Sequence, residues 1–298
     1  MPSTASTSPT VSTRPLGSGS PDSTRSERYV IKVGGSLGAD MSRACADIRA
    51  LVDAGCSVVV VHGGGAESDK LAAELGRPPR YLTSTKGRRS RYTDASQLDV
   101  LTLGMLGRVK PPLLVELLGM GVNAVGLSGV DGGLVTARRN PPVRVVVDGE
   151  ERVVRDDLSG RITSVNPRLV RTLLDAGYVP VVSPPALDPV AGPLNVDADR
   201  FAAELAMAME ADWLIILSNV PGLLRDQDDP SSLVSSIPVG ELPAYLDLAG
   251  GRMKVKLRSA GDACAAGVRH VVLADGRHSS PVLAARAGTG TTFVGGTG

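Results

Sequence analysis

Aromatic side chains are scarce: two phenylalanines, five tyrosines and one tryptophan make up 3% of the 298 residues. A core of this size must then be filled with Val, Leu, Ile and Ala, as in buried strands and the helices that cover them. Cysteine is rarer still. Cys45, Cys56 and Cys264 are odd in number and show neither Cys-x-x-Cys nor Cys/His metal spacing, which excludes a disulfide framework and a zinc site. They read as reduced thiols, mostly buried. No apolar run approaches the ~20 residues of a membrane span, and the N-terminus lacks the apolar stretch of a signal peptide. A soluble, cytoplasmic protein is expected. Excess charge of one sign is also missing. Thirty-two basic against 31 acidic residues leave +1, giving no global case for nucleic acid or membrane binding. Finally, there is no GxxxxGK[ST] phosphate loop, no GxGxxG between a strand and a helix, and no protein-kinase HRD or DFG set. Any nucleotide site must be built another way.

What is present is a repeated unit, an apolar strand that stops in glycines. Tyr29-Val30-Ile31-Lys32-Val33 runs into Gly34-Gly35-Ser36, and Val58-Val59-Val60-Val61-His62 runs into Gly63-Gly64-Gly65. A lysine inside a buried strand is costly unless something anionic waits at the strand end. Glycines before a helix can floor a pocket with backbone N–H groups, which suits an oxyanion or a phosphate. Taken alone, each glycine run is more often a turn than a phosphate site.

Strand and helix patterns alternate along the chain, which predicts a mostly parallel sheet covered on both faces. Residues 1–27, rich in Ser, Thr, Pro and Gly, are expected to be a disordered tail. Helices are expected near 40–54, capped by Asp40 or Ser42, and near 66–76. Residues 77–93 read as a hairpin excursion. Helical spacing returns from Asp94 to about Val109, where Pro111-Pro112 should break the helix and restart it. A hairpin insertion is expected around Asp148-Gly149, and strands at 123–128, 179–183, 213–218, 270–274 and 291–294, the last closing the sheet. The Pro/Gly-rich stretch 184–193 marks a boundary between an N-terminal lobe, 28–190, and a C-terminal lobe, 191–298. Lys32, Asp199 and Lys256, with Asn195 beside Asp199, are the charged and polar groups whose positions suggest a two-lysine phosphoryl-transfer centre.

The motifs become specific in combination. Ile31–Ser36, Val61–Gly65, Ser90-Arg91-Tyr92-Thr93-Asp94, Asn195–Asp199, Ser218–Gly222 and Gly251-Arg252-Met253-Lys254-Val255-Lys256 occur in an order and spacing that resemble the amino acid kinases of the acetylglutamate kinase branch. The resemblance covers 29–298. Ser90–Asp94 resembles the variant found in kinases acting on aminoadipate or glutamate attached to an amino-group carrier protein. It implies a three-layer αβα sandwich and ATP-dependent, Mg²⁺-dependent phosphorylation of a side-chain carboxylate to an acyl phosphate. It further implies Lys32 and Lys256 as transition-state stabilisers, with Asp199 holding both. Gly64, Gly65, Arg91 and Asn195 would bind the acceptor in the first lobe. Gly34, Gly35 and the segment Asn219, Val220, Pro221, Gly222, Leu223 and Leu224 would bind the nucleotide. No protein metal ligand is expected, since Mg²⁺ would ride on the ATP phosphates. A homodimer is implied, as is an acidic carrier as partner.

Plainer readings stand beside these. Lys256 could be one more cation on a solvated helix face, Arg91 a surface hairpin residue, and Asp199 an acid complementing a helix dipole. His62 is read as structural, because an ionised carboxylate needs no base. Arg77, Arg80, Lys86, Arg88, Arg89 and Arg91, with no acid among them, form either a solvated hairpin or a salt-sensitive rim that steers an acidic carrier. Free N-acetylglutamate as the acceptor, and a nucleotide-binding regulator without turnover, are the competing functions.

Overall fold

A computed structural model describes residues 26–34, 41–85, 87, 89–147 and 150–295, with the side chains of Arg89 and Val147 left undescribed. Residues 1–25 of the tail expected over 1–27 therefore lie outside the described residues. So do Gly35, Ser36, Asp40, Lys86, Arg88 and the Asp148-Gly149 turn.

Eight strands form the central sheet: β1 (Arg28–Val33), β2 (Ser57–His62), β3 (Ala124–Ser128), β4 (Val179–Ser183), β5 (Trp213–Ser218), β6 (Ser236–Pro238), β7 (His270–Asp275) and β8 (Thr291–Val294). Their order is β6-β8-β7-β5-β1-β2-β4-β3. The six strands from β7 across to β3 are parallel, and β8 turns antiparallel to β7. The expectation that residues 291–294 close the sheet is corrected here, because β6 pairs outside them. That edge strand is only three residues long and ends in Pro238, a residue tolerated at an edge where its missing N–H faces away from the ladder.

Nine helices among the described residues cover the two faces: α1 (Ser42–Asp53), α2 (Gly65–Glu74), α3 (Ala95–Leu103), α4 (Lys110–Gly119), α5 (Arg168–Asp175), α6 (Ala198–Ala208), α7 (Leu242–Leu248), α8 (Gly251–Ala265) and α9 (Pro281–Arg286). The β1 run divides by strict alternation. Val30 points into a core with Val59, Val61, Leu214 and Ile216, closed by Phe201 of α6 and Leu257 of α8. Tyr29, Ile31 and Val33 point the other way, with Val58, Val60, Ile215 and Leu217, against Ile48 of α1, Leu117 of α4 and Val282 of α9. A strand apolar on both faces makes sense only between two layers of helices. The result is the three-layer αβα sandwich that the sequence predicts. Each fully buried Val, Leu or Ile contributes about 1.5–3 kcal/mol, so the β1 residues anchor both cores at once.

A smaller sheet lies beside the carboxyl end of the large one. It pairs Val135–Arg139 with Gly160–Val165 and takes in Ala186–Asp188 and Gly192–Leu194. Two hairpins flank it, Arg80–Thr83 with Arg89–Tyr92 and Val143–Val147 with Glu150–Val154. Ser26 and Glu27 are fixed: Glu27 accepts hydrogen bonds from Tyr29 Oη and Trp213 Nε1.

Two local expectations fail for identifiable reasons. Met41, without a side-chain bond, occupies the cap position of α1, and Ser42 is already helical. Pro111-Pro112 do not break the helix. The chain passes from α3 through a π-helical stretch, Gly104–Val109, into α4, with the Lys110 N–H donating to Met105 O five residues back. Both prolines then fall in the first turn of α4, where a missing N–H is tolerated.

Candidate active site

The carboxyl ends of β1, β2 and β5 meet where the strand order reverses, the place where open parallel sheets bind ligands. Lys32, next to last in β1, is buried there. Asp199 comes from the first turn of α6, which Asp197 caps by accepting from the N–H groups of Asp199 and Arg200, both at 2.9 Å. Lys256 comes from the second turn of α8. The three side chains converge. Lys32 Nζ lies 2.7 Å from Asp199 Oδ1, and Lys256 Nζ lies 2.7 Å from Oδ2. The Lys256 contact is an aligned hydrogen bond, whereas the Lys32 contact is an ion pair off that alignment. Burial alone would raise the Asp199 pKa, but the two ammonium charges outweigh it and hold the carboxyl at about 2. Burial and the charge of Lys32 together lower Lys256. One carboxylate thus holds two cations that would otherwise repel.

Beside this group, β2 ends in His62 and leads through Gly63 to Gly64, which caps α2. A Cβ at Gly64 would lie 2.5 Å from Met105 Cγ and 3.2 Å from Met105 Cα, so the π-helical stretch sits directly on this glycine. It also meets α2 at Gly104, where a Cβ would lie 2.8 Å from Ser68 Cα. These close approaches fix the α2 N-terminus, whose first N–H groups have no intrahelical acceptor. Burial pushes His62 down to about 4, so it is neutral at pH 7. Its Nδ1–H donates to Gly63 O at 2.8 Å, which makes it a structural brace.

Arg91, on the hairpin strand Arg89–Tyr92, forms an ion pair with Asp69 of α2, and its buried Nε has no partner. It is no free surface residue. Asn195 donates through Nδ2 to Thr93 Oγ1 at 3.1 Å, tying the segment before α6 to the Ser90–Asp94 motif. Of the nucleotide-side residues, Gly34 follows β1 directly and is buried, while Gly35 lies outside the described residues. Asn219–Leu224 leaves the end of β5 and is pinned where Thr291 Oγ1 accepts from Leu223 N at 2.9 Å. Among the described residues no hydrogen bond joins it to the Lys–Asp–Lys group. Its continuation approaches the start of α8, with Gln227 Nε2 3.9 Å from a Cβ built on Gly250.

Three residues at the site escape sequence reasoning. Asp69 faces Arg91 only because the hairpin folds over α2. Arg252, one helical turn before Lys256 on α8, reaches the acceptor side, with a guanidinium nitrogen 4.0 Å from a Cβ built on Gly65. Lys110 is buried and donates to Leu127 O, and burial pushes it down to about 8. The spacing of Arg252 and Lys256 at i and i+4 was the one available signal. Among the described residues no cluster of three or more His, Cys, Asp or Glu could hold a metal ion, and both Asp199 oxygens face lysines.

Comparison with known proteins follows the same lines. The amino acid kinase family model matches residues 27–275. The [LysW]-aminoadipate kinase of Deinococcus radiodurans is 44% identical over 262 residues, covering 88% of this chain and 90% of that protein. The acetylglutamate kinase of Moorella thermoacetica is 33% identical over 260 residues, covering 85% and 86%. Among solved structures, smu.665 from Streptococcus mutans UA159 superposes with a TM-score of 0.71 at 24% identity, over 90% of this chain and 98% of that one, a likeness of fold. Fold, buried lysine–carboxylate–lysine group and sequence agree, and the chain belongs to the amino acid kinase family.

Proposed function

We propose that this protein transfers the γ-phosphoryl group of ATP to the side-chain carboxylate of an N-substituted acidic amino acid, an aminoadipate or glutamate derivative presented on an acidic amino-group carrier protein. The observation that carries this reading is Asp199 held between Lys32 and Lys256 at 2.7 Å each. A side-chain carboxylate with an ordinary pKa near 4.3 is already ionised at pH 7, so the reaction needs no general base. It needs two anions brought together and the charge on the moving phosphoryl group stabilised. Lys32 supplies that charge from β1 and Lys256 from α8, and Asp199 lies between them, offsetting their repulsion and aiming both.

In this reading Gly64 and Gly65 receive the acceptor's reacting end, Arg91 takes its α-carboxylate, and Asn195 holds its substituted nitrogen. Residues 28–190 serve the acceptor. Residues 191–298, with Gly34 and Gly35, serve the nucleotide through Asn219–Leu224. Mg²⁺ would be held mainly by the ATP phosphates. The name of the Deinococcus relative supports the carrier-bound acceptor. The basic residues of the 77–91 excursion would steer that carrier; Arg88 lies outside the described residues, as does the Arg89 side chain. Three free thiols suit the cytoplasm. Leu103, Val115 and Leu118 project apolar side chains from α3 and α4, with Val115 68% exposed, and a second copy of the chain is proposed to cover them.

The Moorella relative favours a second reading, free N-acetylglutamate as the acceptor. Hydroxylamine traps acyl phosphates, so the purified protein with ATP and Mg²⁺ should give a hydroxamate. The carrier-bound aminoadipate or glutamate derivative should react far better than free N-acetylglutamate. Equal turnover of the free compound would replace the first reading by the second. No hydroxamate with any acceptor would leave a nucleotide-binding regulator.

A further inference from the structure

Residues 155–160 lie between the Ser90-Arg91-Tyr92-Thr93-Asp94 motif and Asn195, and the proposed reaction gives them no part. They bond to both. Asp157 Oδ1 accepts from the Thr93 N–H at 2.8 Å, and the Leu158 N–H donates to Thr93 O at 2.7 Å. On the other side the Asn195 N–H donates to Leu158 O at 2.9 Å, and the Gly160 N–H donates to Asn195 O at 2.8 Å. The bond from Asn195 Nδ2 to Thr93 Oγ1, at 3.1 Å, closes the ring. Thr93 is wholly buried where the three segments meet. The ring is also held from outside. Arg139 donates through Nε to Asp157 O at 2.8 Å and through Nη2 to Arg155 O at 2.7 Å, and the Asn140 N–H donates to Ser159 O at 3.0 Å. Ser159 Oγ donates to Asp157 Oδ2, so both oxygens of that carboxylate are taken. Tyr92, beside Thr93, donates through Oη to Asp156.

We propose that Thr93 is a positioning residue for the acceptor: its hydroxyl fixes the Asn195 carboxamide, and Asp157 holds Thr93 in place from behind. The inference rests on the reading above, in which Asn195 holds the substituted nitrogen of the acceptor and Arg91 its α-carboxylate. The last torsion of an asparagine side chain is broad, so a free carboxamide points in many directions. The bond to Thr93 Oγ1 removes that freedom, and the backbone of Thr93 is itself fixed through both its N–H and its C=O. Arg91 precedes Thr93 by two residues, so the same clasp sets where the strand carrying Arg91 ends. Both acceptor-binding groups are therefore placed by one ring of hydrogen bonds, in which Lys32, Asp199 and Lys256 take no part. Loosening the ring weakens the hold on the acceptor and leaves the hold on ATP.

The test is Thr93→Val, which keeps the side chain's shape and the backbone bonds but removes the hydroxyl. In the hydroxamate assay T93V should raise the KM for the acceptor about tenfold and leave the KM for ATP within twofold of wild type. T93S, which restores the hydroxyl, should return the acceptor KM to within threefold. D157A should raise the acceptor KM as well. The T93V/D157A double variant should be no more than about threefold worse than the more damaging single one, because both act through one carboxamide. Asp157 is half-buried, so D157A carries the test if T93V does not fold. No hydroxamate from the wild-type protein would count against the proposed reaction. Calorimetric binding of N-acetyl-2-aminoadipate, and separately of a non-hydrolysable ATP analogue, then reads the same split in the same variants. An unchanged acceptor KM or affinity, a parallel loss for acceptor and nucleotide, or multiplicative effects of T93V and D157A would overturn the inference. So would a wild-type protein that binds the ATP analogue but neither turns over nor binds any acceptor.

Discussion

Replacing Asp199 by Asn separates the electrostatic role of this residue from mere packing, because the two side chains have nearly the same shape. The wild-type carboxyl is held at about 2 against an ordinary 3.8, with burial opposing the shift and the two ammonium groups producing it. That displacement favours the charged form at neutral pH by an amount on the order of 2 kcal/mol. Asp199 is only 6% exposed, so solvent screening takes little from this figure. The sign follows from linkage. The folded pKa lies below the unfolded one, so the unfolded chain binds the proton first on acidification. The contribution is complete above about pH 4 and is lost as the pH falls toward 2. D199N should lack that slope in an acid unfolding series. At pH 7 it removes the one carboxylate in contact with two buried cations and leaves only the more distant Asp197 to answer them, a loss of about 3–5 kcal/mol unless one lysine gives up its proton. Lys256, already lowered by burial and by Lys32, is the one to do so. One of the two charges proposed to face the phosphoryl group then disappears, and kcat should fall about 10²–10³-fold. The KM for ATP should change far less. The alkaline limb of the kcat profile should move to lower pH, because Asp199 no longer raises Lys256. Steady-state kinetics from pH 6 to 10, on protein shown to be folded by circular dichroism, reads all of these. A D199N enzyme within threefold of wild-type kcat, or one with an unmoved alkaline limb, would refute the reasoning.

Two further perturbations test the supports of the site. Gly64→Ala places a methyl group 2.5 Å from Met105 Cγ and 3.2 Å from the Met105 backbone, so thermal unfolding should report a loss of about 1–3 kcal/mol. Adding Met105→Ala should recover part of it, and an unchanged melting temperature in the single variant would mean the π-helical stretch yields freely. Val115→Asp places a charge among the exposed apolar side chains of α4 and should turn the proposed dimer into a monomer by light scattering, with the melting temperature of the monomer little altered.

The strand residues 29–33 and 57–62 determine the architecture through local pattern alone. Apolar on both faces and ended by glycines, they can be satisfied only as central parallel strands between two helical layers, and the sheet has that form. The charged residues of the candidate site were also legible, since a lysine in a buried strand demands an anion. Their partners were not. Asp199 meets Lys32 and Lys256 from positions 167 and 57 residues away in sequence, and Asp69 meets Arg91 only because a hairpin folds over α2. Pro111-Pro112 read as a break because helix rules assume an unbroken α-helical ladder. The π-helical stretch shifts that ladder so that the prolines need no donor, and it packs closely on Gly64 and Ser68, contacts that no local rule reads. Periodicity and turn chemistry act over a few residues and so are written in the sequence. Which charge answers which depends on the meeting of distant segments, and the tertiary structure alone decides it.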